Sequence, residues 1–311
     1  MGHFVLGRVG NIAVQVLVIV TAVFLLFRVA PGDPAALILG ANATRSQIEV
    51  LREQMGLNQP LIVQYGSYLA HLLNGDLGVS SSYSQPVGPV IFGRIGATLA
   101  LLLFSLLIAT TVGAAGGIMA ALRPRAPLSK GTLLLWVLLL AVPNFWLGMI
   151  LIQVFAVELH WLPAIGAGGG ILGLLLPATA VAARLVALVA RLTRASMLET
   201  LGEDFIRAAK ARGVSPVRLV MVHALKPAIP SVLIMIGLQA GYLLGGAVVV
   251  ENLFSYPGMG QLLLAAVSQR DYTLMEGITI FFVGGFLLIN LAVDVLASRL
   301  DPRMRGRGAN A

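Results

Sequence analysis

Val9-Gly-Asn-Ile-Ala-Val-Gln-Val-Leu-Val-Ile-Val-Thr-Ala-Val-Phe-Leu-Leu-Phe27 is a run of 19 residues without a charge, closed by Arg8 and Arg28. As a helix it is about 28 Å long, close to the thickness of a bilayer's hydrocarbon core. Its apolar core exceeds that of a cleavable signal, and Arg28 follows it where a small-residue cleavage site would stand. Five more apolar intervals follow: 95–122, 131–157, 171–190 with Arg184 inside it, 227–250 and 277–293. The expected fold is an all-α polytopic membrane protein with six transmembrane helices.

Composition agrees. Of 311 residues, 58% are hydrophobic and 11% charged, against about 25% charged in soluble domains. Mean hydropathy is +0.92. So few charges cannot cover a water-soluble surface. A net charge of +8 would suggest nucleic acid as the partner of a soluble protein. Here it reflects the lysine and arginine surplus of cytoplasmic loops, so lipid and no nucleic acid is expected. There is no cysteine, hence no disulfide framework, thiolate nucleophile or cysteine-based metal site.

The basic residues also orient the chain. With the N-terminus inside, inner segments hold fifteen lysines and arginines and outer segments four, namely Arg45, Arg52, Arg94 and Arg270. Both termini are therefore expected in the cytoplasm. The chain divides into an N-terminal segment and first span (1–30), an extracytoplasmic loop or cap (31–94), and a core of five spans (95–311). Within the cap, Thr44 to Gly56 reads as a short capped helix ended by glycine.

Several chemistries are absent. No Gly-x-x-x-x-Gly-Lys-Ser/Thr run occurs, and Lys130-Gly-Thr132 lacks the glycines that cradle phosphate. His3, His71, His160 and His223 form no His-Glu-x-x-His pattern. Arg184 and Asp294 are the ionisable residues inside the expected spans, both toward cytoplasmic ends. Arg184 is expected to reach the interface and Asp294 to face the bundle. The scarcity of buried carboxylates argues against a stand-alone channel or ion-driven carrier, and an intramembrane enzyme would lack a catalytic set. Milder polarity lies mid-span: Asn144 after Pro143, Gln239 with Gly241, Gly245 and Gly246, and Asn290. These residues either line a pathway or join helices.

Between the fourth and fifth spans, the segment 191–226 contains Gly202-Glu-Asp-Phe-Ile-Arg-Ala-Ala-Lys-Ala-Arg-Gly-Val-Ser-Pro216. Thr200 to Glu203 fits a capping box. Glu203 and Arg207 stand in the favourable i,i+4 order. Glu203 and Asp204 suit the start of a helix dipole, and Lys210 and Arg212 its end. Leu201, Phe205, Ala208 and Ala209 make a narrow apolar stripe with Ile206 beside it. Gly213 is expected as a left-handed cap, and Ser215-Pro216 as the start of a second helix. A thin apolar knob framed by both charges suits a protein groove better than a lipid surface.

Asp204-Phe-Ile-Arg-Ala-Ala-Lys-Ala-Arg-Gly213, followed by His223-Ala-Leu-Lys226, resembles the cytoplasmic "EAA" loop of ABC importer permeases, nearest the B-type subunits of dipeptide and oligopeptide systems. The resemblance runs through the chain in order: Arg28-Val-Ala-Pro-Gly-Asp-Pro34, Gly75-Asp-Leu-Gly78, Pro143-Asn-Phe-Trp-Leu-Gly148, Ala190-Arg-Leu-Thr-Arg-Ala-Ser196, Gly246-Ala-Val-Val-Val-Glu251, Tyr256-Pro-Gly-Met-Gly260 and Asp301-Pro-Arg303. The glutamate that names the loop is replaced by Arg207, as is usual in the peptide-type branch.

That resemblance implies a type I importer permease of the bacterial cytoplasmic (inner) membrane. It implies a non-enzymatic subunit that binds no cofactor itself, ATP and magnesium being held by two partner ATPases. A second, homologous permease and an extracytoplasmic binding protein would complete the assembly. Glu203, Asp204, Phe205, Arg207, Ala208, Ala209, Lys210, Arg212 and Gly213 would form the coupling helix docked on an ATPase. Asn144, Gln239 and Asn290 are the pathway candidates. The implied cargo is a di- or oligopeptide, with nickel or another metal chelate, glutathione and sugars carried elsewhere in the family.

Overall fold

The computed structural model describes residues 2–29, 33–39 and 43–300. The Pro31-Gly32 pair, the Asp301-Pro-Arg303 segment and the side chain of Asp294 lie outside the described residues. The elements in chain order are helices α1 (Gly2–Val29), α2 (Pro34–Leu39), α3 (Arg45–Gln54) and α4 (Leu61–Leu73), a hairpin of β1 (Val79–Ser80) and β2 (Gln85–Pro86), and helices α5 (Val87–Leu122), α6 (Pro127–Ala141), α7 (Asn144–Leu151), α8 (Gly170–Leu201), α9 (Asp204–Ala211), α10 (Pro216–Arg218), α11 (Leu225–Leu253), α12 (Met259–Gln269) and α13 (Tyr272–Leu300). Two π-helical runs, Ile152–Glu158 and Leu219–Ala224, extend α7 and lead into α11.

Among the described residues five helices are long and apolar enough to cross a membrane: α1, α5, α8, α11 and α13. The third expected span is not one straight helix. It breaks after α6, where Val142 and Pro143 are extended, and α7 with its π run leaves at 113°. Pro143 lacks the amide hydrogen a continuous helix would use there. Counting the bent pair as one span gives six.

Two compact units are present. The first comprises 1–98 and 257–285. Its core is formed by Val87 and Ile91 of α5, Met259, Leu262 and Ala266 of α12, and Leu274 and Ile278 of α13. α3 starts as expected: Thr44 and Gln47 form a capping box, and Gly56 takes a left-handed φ of +67°. α4 stands outside the expected elements. It lies on α1 because Tyr65 and Tyr68 pack on Phe24, with ring centroids 5.2 and 5.3 Å away, and because Arg28 Nε donates to Gln64 Oε1 at 2.9 Å. Asp271, fully buried, fastens the hairpin to the start of α13. Its carboxylate accepts from the Ser80 hydroxyl, the Ser82 amide at 3.0 Å and the Leu274 amide at 3.1 Å.

The second unit comprises 99–256 and 286–311, and α8 is its centre. The small residues of α8 let other helices approach closely. A Cβ on Gly113 would lie 2.8 Å from the Val186 carbonyl oxygen, and one on Gly117 2.6 Å from that of Ala190. Gly113 and Gly117 therefore form a small-xxx-small seam of α5 on α8. Trp136 of α6 fills the space beside Ala120, Ala187 and Ala190. On α11, Gly237 meets Val293 and Gly241 meets Phe286, so these glycines serve helix packing.

Candidate functional site

Two sites carry the residues singled out from the sequence, both in the second unit. At the first, α8 runs through Thr200 to Leu201 without the expected break. The Thr200 hydroxyl donates to the Ser196 carbonyl at 2.9 Å, so the Thr200–Glu203 capping box does not form. Gly202 turns the chain, Glu203 begins α9 with its backbone alone, and α9 spans Asp204–Ala211. The helix ends in a Schellman motif: the Val214 amide reaches the Ala209 carbonyl at 3.2 Å and the Gly213 amide the Lys210 carbonyl at 3.0 Å. Gly213 has φ +77°, as expected. The second short helix is one turn, α10, which passes through the π run into α11.

The apolar stripe of α9 is divided differently from the expectation. Ile206 is fully buried and Ala209 nearly so, both against Leu219, with Leu201 and Val214 around them. Phe205 is 47% exposed and Ala208 is exposed. So Ile206 and Ala209 hold the helix to its own chain, while Phe205 and Ala208 face outward. Charges frame them. Arg207 pairs with Asp204 at 3.1 Å, not with Glu203, and also donates to the Gly202 carbonyl at 3.3 Å. Arg212 Nε donates to the Ala208 carbonyl at 3.3 Å, and Lys210 is exposed. These charges are almost fully solvated, and their pairing adds little to stability.

The second site is a cleft of about 520 Å³ between the α6–α7 break, α8 and α11. It brings together Asn144 and Gln239, residues far apart in the sequence, and adds Arg184, Tyr242, Gly245 and Gly246. Asn144 reaches it because the break makes it the first residue of α7. Its amide nitrogen stands 3.0 Å from the place a Cβ on Gly246 would occupy, so that glycine makes room for it. Asn290, on α13 and half-buried, does not line the cleft.

Arg184 is not at the end of its helix. It is the 15th of the 32 residues of α8, exposed, among buried Val181, Ala182, Ala183 and Leu185. Among the described residues, the candidate spans at full length carry exposed Glu199 on α8 and, at the margins of the expected intervals, three more acids: Glu158, exposed, Glu251, buried on α11, and Glu276, half-buried on α13. The sequence intervals stop one residue short of each of these three. In the first unit, a larger cleft of about 610 Å³ carries Arg28, Tyr68, His71 and Glu276 but none of the pathway candidates. Among the described residues no group of three or more histidines and carboxylates is placed to hold a metal.

The chain matches two family models, "Binding-protein-dependent transport system inner membrane component" over residues 113–306 and the N-terminal "Binding-prot-dependent transport system membrane comp, N-term" over residues 1–102. It is 41% identical over 306 residues to the glutathione transport system permease protein GsiC of Escherichia coli (strain K12), covering 98% of this chain and 99% of the relative. GsiC of Salmonella typhimurium (strain LT2) is similar to the same extent. Among solved structures, the fold resembles the inward-facing MetNI methionine ABC transporter, with TM-score 0.55, 18% identity, and coverage of 68% of this chain and 96% of that one. It also resembles an amino acid ABC transporter, with TM-score 0.55, 15% identity, and coverage of 68% and 94%.

Proposed function

The chain belongs to the family of binding-protein-dependent transport system inner membrane components and is a multi-pass permease subunit of an ABC importer; from that premise we propose that it moves short peptides, glutathione first among them, and is driven through α9. The peptide reading rests on the resemblance of the whole chain to dipeptide and oligopeptide permeases. Glutathione is put first because full-length relatives at 41% identity carry that name.

In this reading α9 lies in the cytoplasm with both chain termini, and its Phe205–Ala208 strip enters a groove of an ATPase subunit. Asp204, Arg207, Lys210 and Arg212 make the charged rim of that contact, and Glu203 and Gly213 set the two corners. ATP and magnesium stay with two such ATPases. Their closure moves α9, and with it α8 and α11, between inward- and outward-facing states. A second, homologous permease completes the pathway, an extracytoplasmic binding protein delivers the cargo, and lipid covers the remaining apolar surface. Asn144 and Gln239 line the route. The observation that carries this reading is the division of α9: one apolar pair is locked inside the chain, and another is left outside within a ring of charge.

The test is ATP-driven glutathione uptake into proteoliposomes that hold the complete transporter. Uptake that requires ATP, the binding protein and an intact Phe205 supports the reading. Uptake by this chain without ATPase subunits sinks it.

A further inference from the structure

We infer that Arg184 is the residue through which the cleft recognises a carboxylate of the cargo. This rests on the reading of that cleft as the transport route, and it adds a chemical class: anionic short peptides. A guanidinium within the apolar part of a spanning helix is costly unless water or a counter-charge reaches it. Arg184 is exposed into the cleft and is the one charged residue among those lining it. Among the described residues no carboxylate lies within ion-pair distance of it. The helix does not need this side chain for packing, because its neighbours Ala183 and Leu185 carry the buried face.

The rest of the lining suits a peptide. Asn144 and Gln239 each offer a donor and an acceptor to peptide groups, and Tyr242, 74% exposed, offers a ring and a hydroxyl. Gly245 and Gly246 leave the backbone of α11 open beside them. A space of about 520 Å³ is within the range of small-molecule sites. The planar guanidinium fork matches a carboxylate in two parallel hydrogen bonds, and an ammonium does not reproduce that geometry. With no acid in the lining, the cleft favours cargo with surplus negative charge and disfavours cationic cargo.

The experiment compares uptake of glutathione and of glutathione diethyl ester, whose carboxylates are capped, by the complete transporter in proteoliposomes. In R184Q the glutathione rate is expected to fall about tenfold while the ester rate holds or rises, and R184K, which keeps the charge without the fork, is expected to fall between R184Q and wild type. An unchanged acid-to-ester ratio in R184Q overturns the inference. So does failure of both R184Q and R184K to assemble with the ATPase subunits, which would make Arg184 a packing residue. If the wild-type complex moves no glutathione, the cargo reading falls, and R184C then decides the arginine separately. This chain has no cysteine of its own, so modification of this subunit by a charged, membrane-impermeant thiosulfonate reports water at position 184. Modification keeps Arg184 as a wet cargo-facing group, and its absence removes it.

Discussion

The Ser80 hydroxyl donates to the carboxylate of Asp271, 191 residues away in the chain, and both are fully buried. This bond and two amide donors hold the β-hairpin to the start of α13. Burial alone would raise the Asp271 carboxyl, but the hydrogen bonds from Ser80, Ser82 and Leu274 outweigh it and hold the carboxyl below its ordinary value of 3.8. A carboxyl depressed in the folded state stabilises fully above the unfolded value and loses that contribution as pH falls through the folded one. Asp271→Ala is therefore expected to lower thermal stability by about 2–4 kcal/mol at neutral pH. Asp271→Asn should flatten the acid limb of the stability profile. Melting of the detergent-purified protein from pH 3 to 7 measures both, and an Asp271→Asn profile matching wild type in acid would contradict the assignment.

Ile206 and Phe205 are neighbours with opposite duties. Ile206→Ala should destabilise the corner of α9 by about 2–4 kcal/mol, as expected for a fully buried aliphatic side chain. Phe205→Ala and Ala208→Asp should leave the melting of the isolated chain almost unchanged and weaken co-purification of the ATPase subunits at least about tenfold. Equal ATPase recovery with all three variants would show that α9 is not the docking element.

Gly213 holds a left-handed φ with open space around it. Gly213→Ala should cost about 1 kcal/mol through backbone strain alone, since no neighbour is displaced, and Gly213→Val more, because a β-branched side chain fits the left-handed region worse. Differential scanning of the purified variants tests the order, and a stabilised Gly213→Val would refute it.

Gly117 and Gly245 make a matched pair for the helix-packing argument. A side chain at 117 meets the Ala190 backbone, whereas one at 245 meets nothing within 4 Å. Gly117→Val should reduce folded yield severely and Gly245→Ala should leave it within about 0.5 kcal/mol of wild type. Fluorescence-detected size-exclusion after heating distinguishes them, and equal behaviour would disprove close approach of α5 to α8.

Asn144→Leu and Gln239→Leu should slow uptake about threefold or more without detaching the ATPases, because each removes a donor and an acceptor from the cleft. Asn290→Leu, outside that lining, should not slow uptake in the same way. Transport kinetics of the three variants in one preparation give the comparison. Unaltered kinetics in the first two would assign Asn144 and Gln239 to packing.

The spans were legible because charge is nearly absent from them, and the Thr44 cap because its partner sits three residues away. α4 is hard to read in the sequence although Leu61, Tyr65, Tyr68 and Leu72 repeat at helical spacing, because its short amphipathic pattern is held by packing on α1 and carries no cap of its own. Thr200 misled because the same hydroxyl that can cap a new helix can also bond back four residues within an old one. The choice between Phe205 and Ile206 as the inward residue was invisible in periodicity: adjacent positions differ by about 100°, and either can bound an apolar stripe. What decided it was Leu219, brought back by the glycine corner. Arg184 stands mid-helix because α8 runs on past Arg191, where the hydropathy interval ends.

Between Arg184 and Leu201 the chain contains neither glycine nor proline, and α8 is unbroken there for roughly 26 Å at helical rise. The residue facing the cleft and the residue packed on Ile206 thus belong to one shaft with no joint. A rotation applied at its lower end must turn the guanidinium at its middle through the same angle. Conversely, anything that jams the arginine resists the turn below, so cargo and drive would be felt by each other without a relay of intervening side chains.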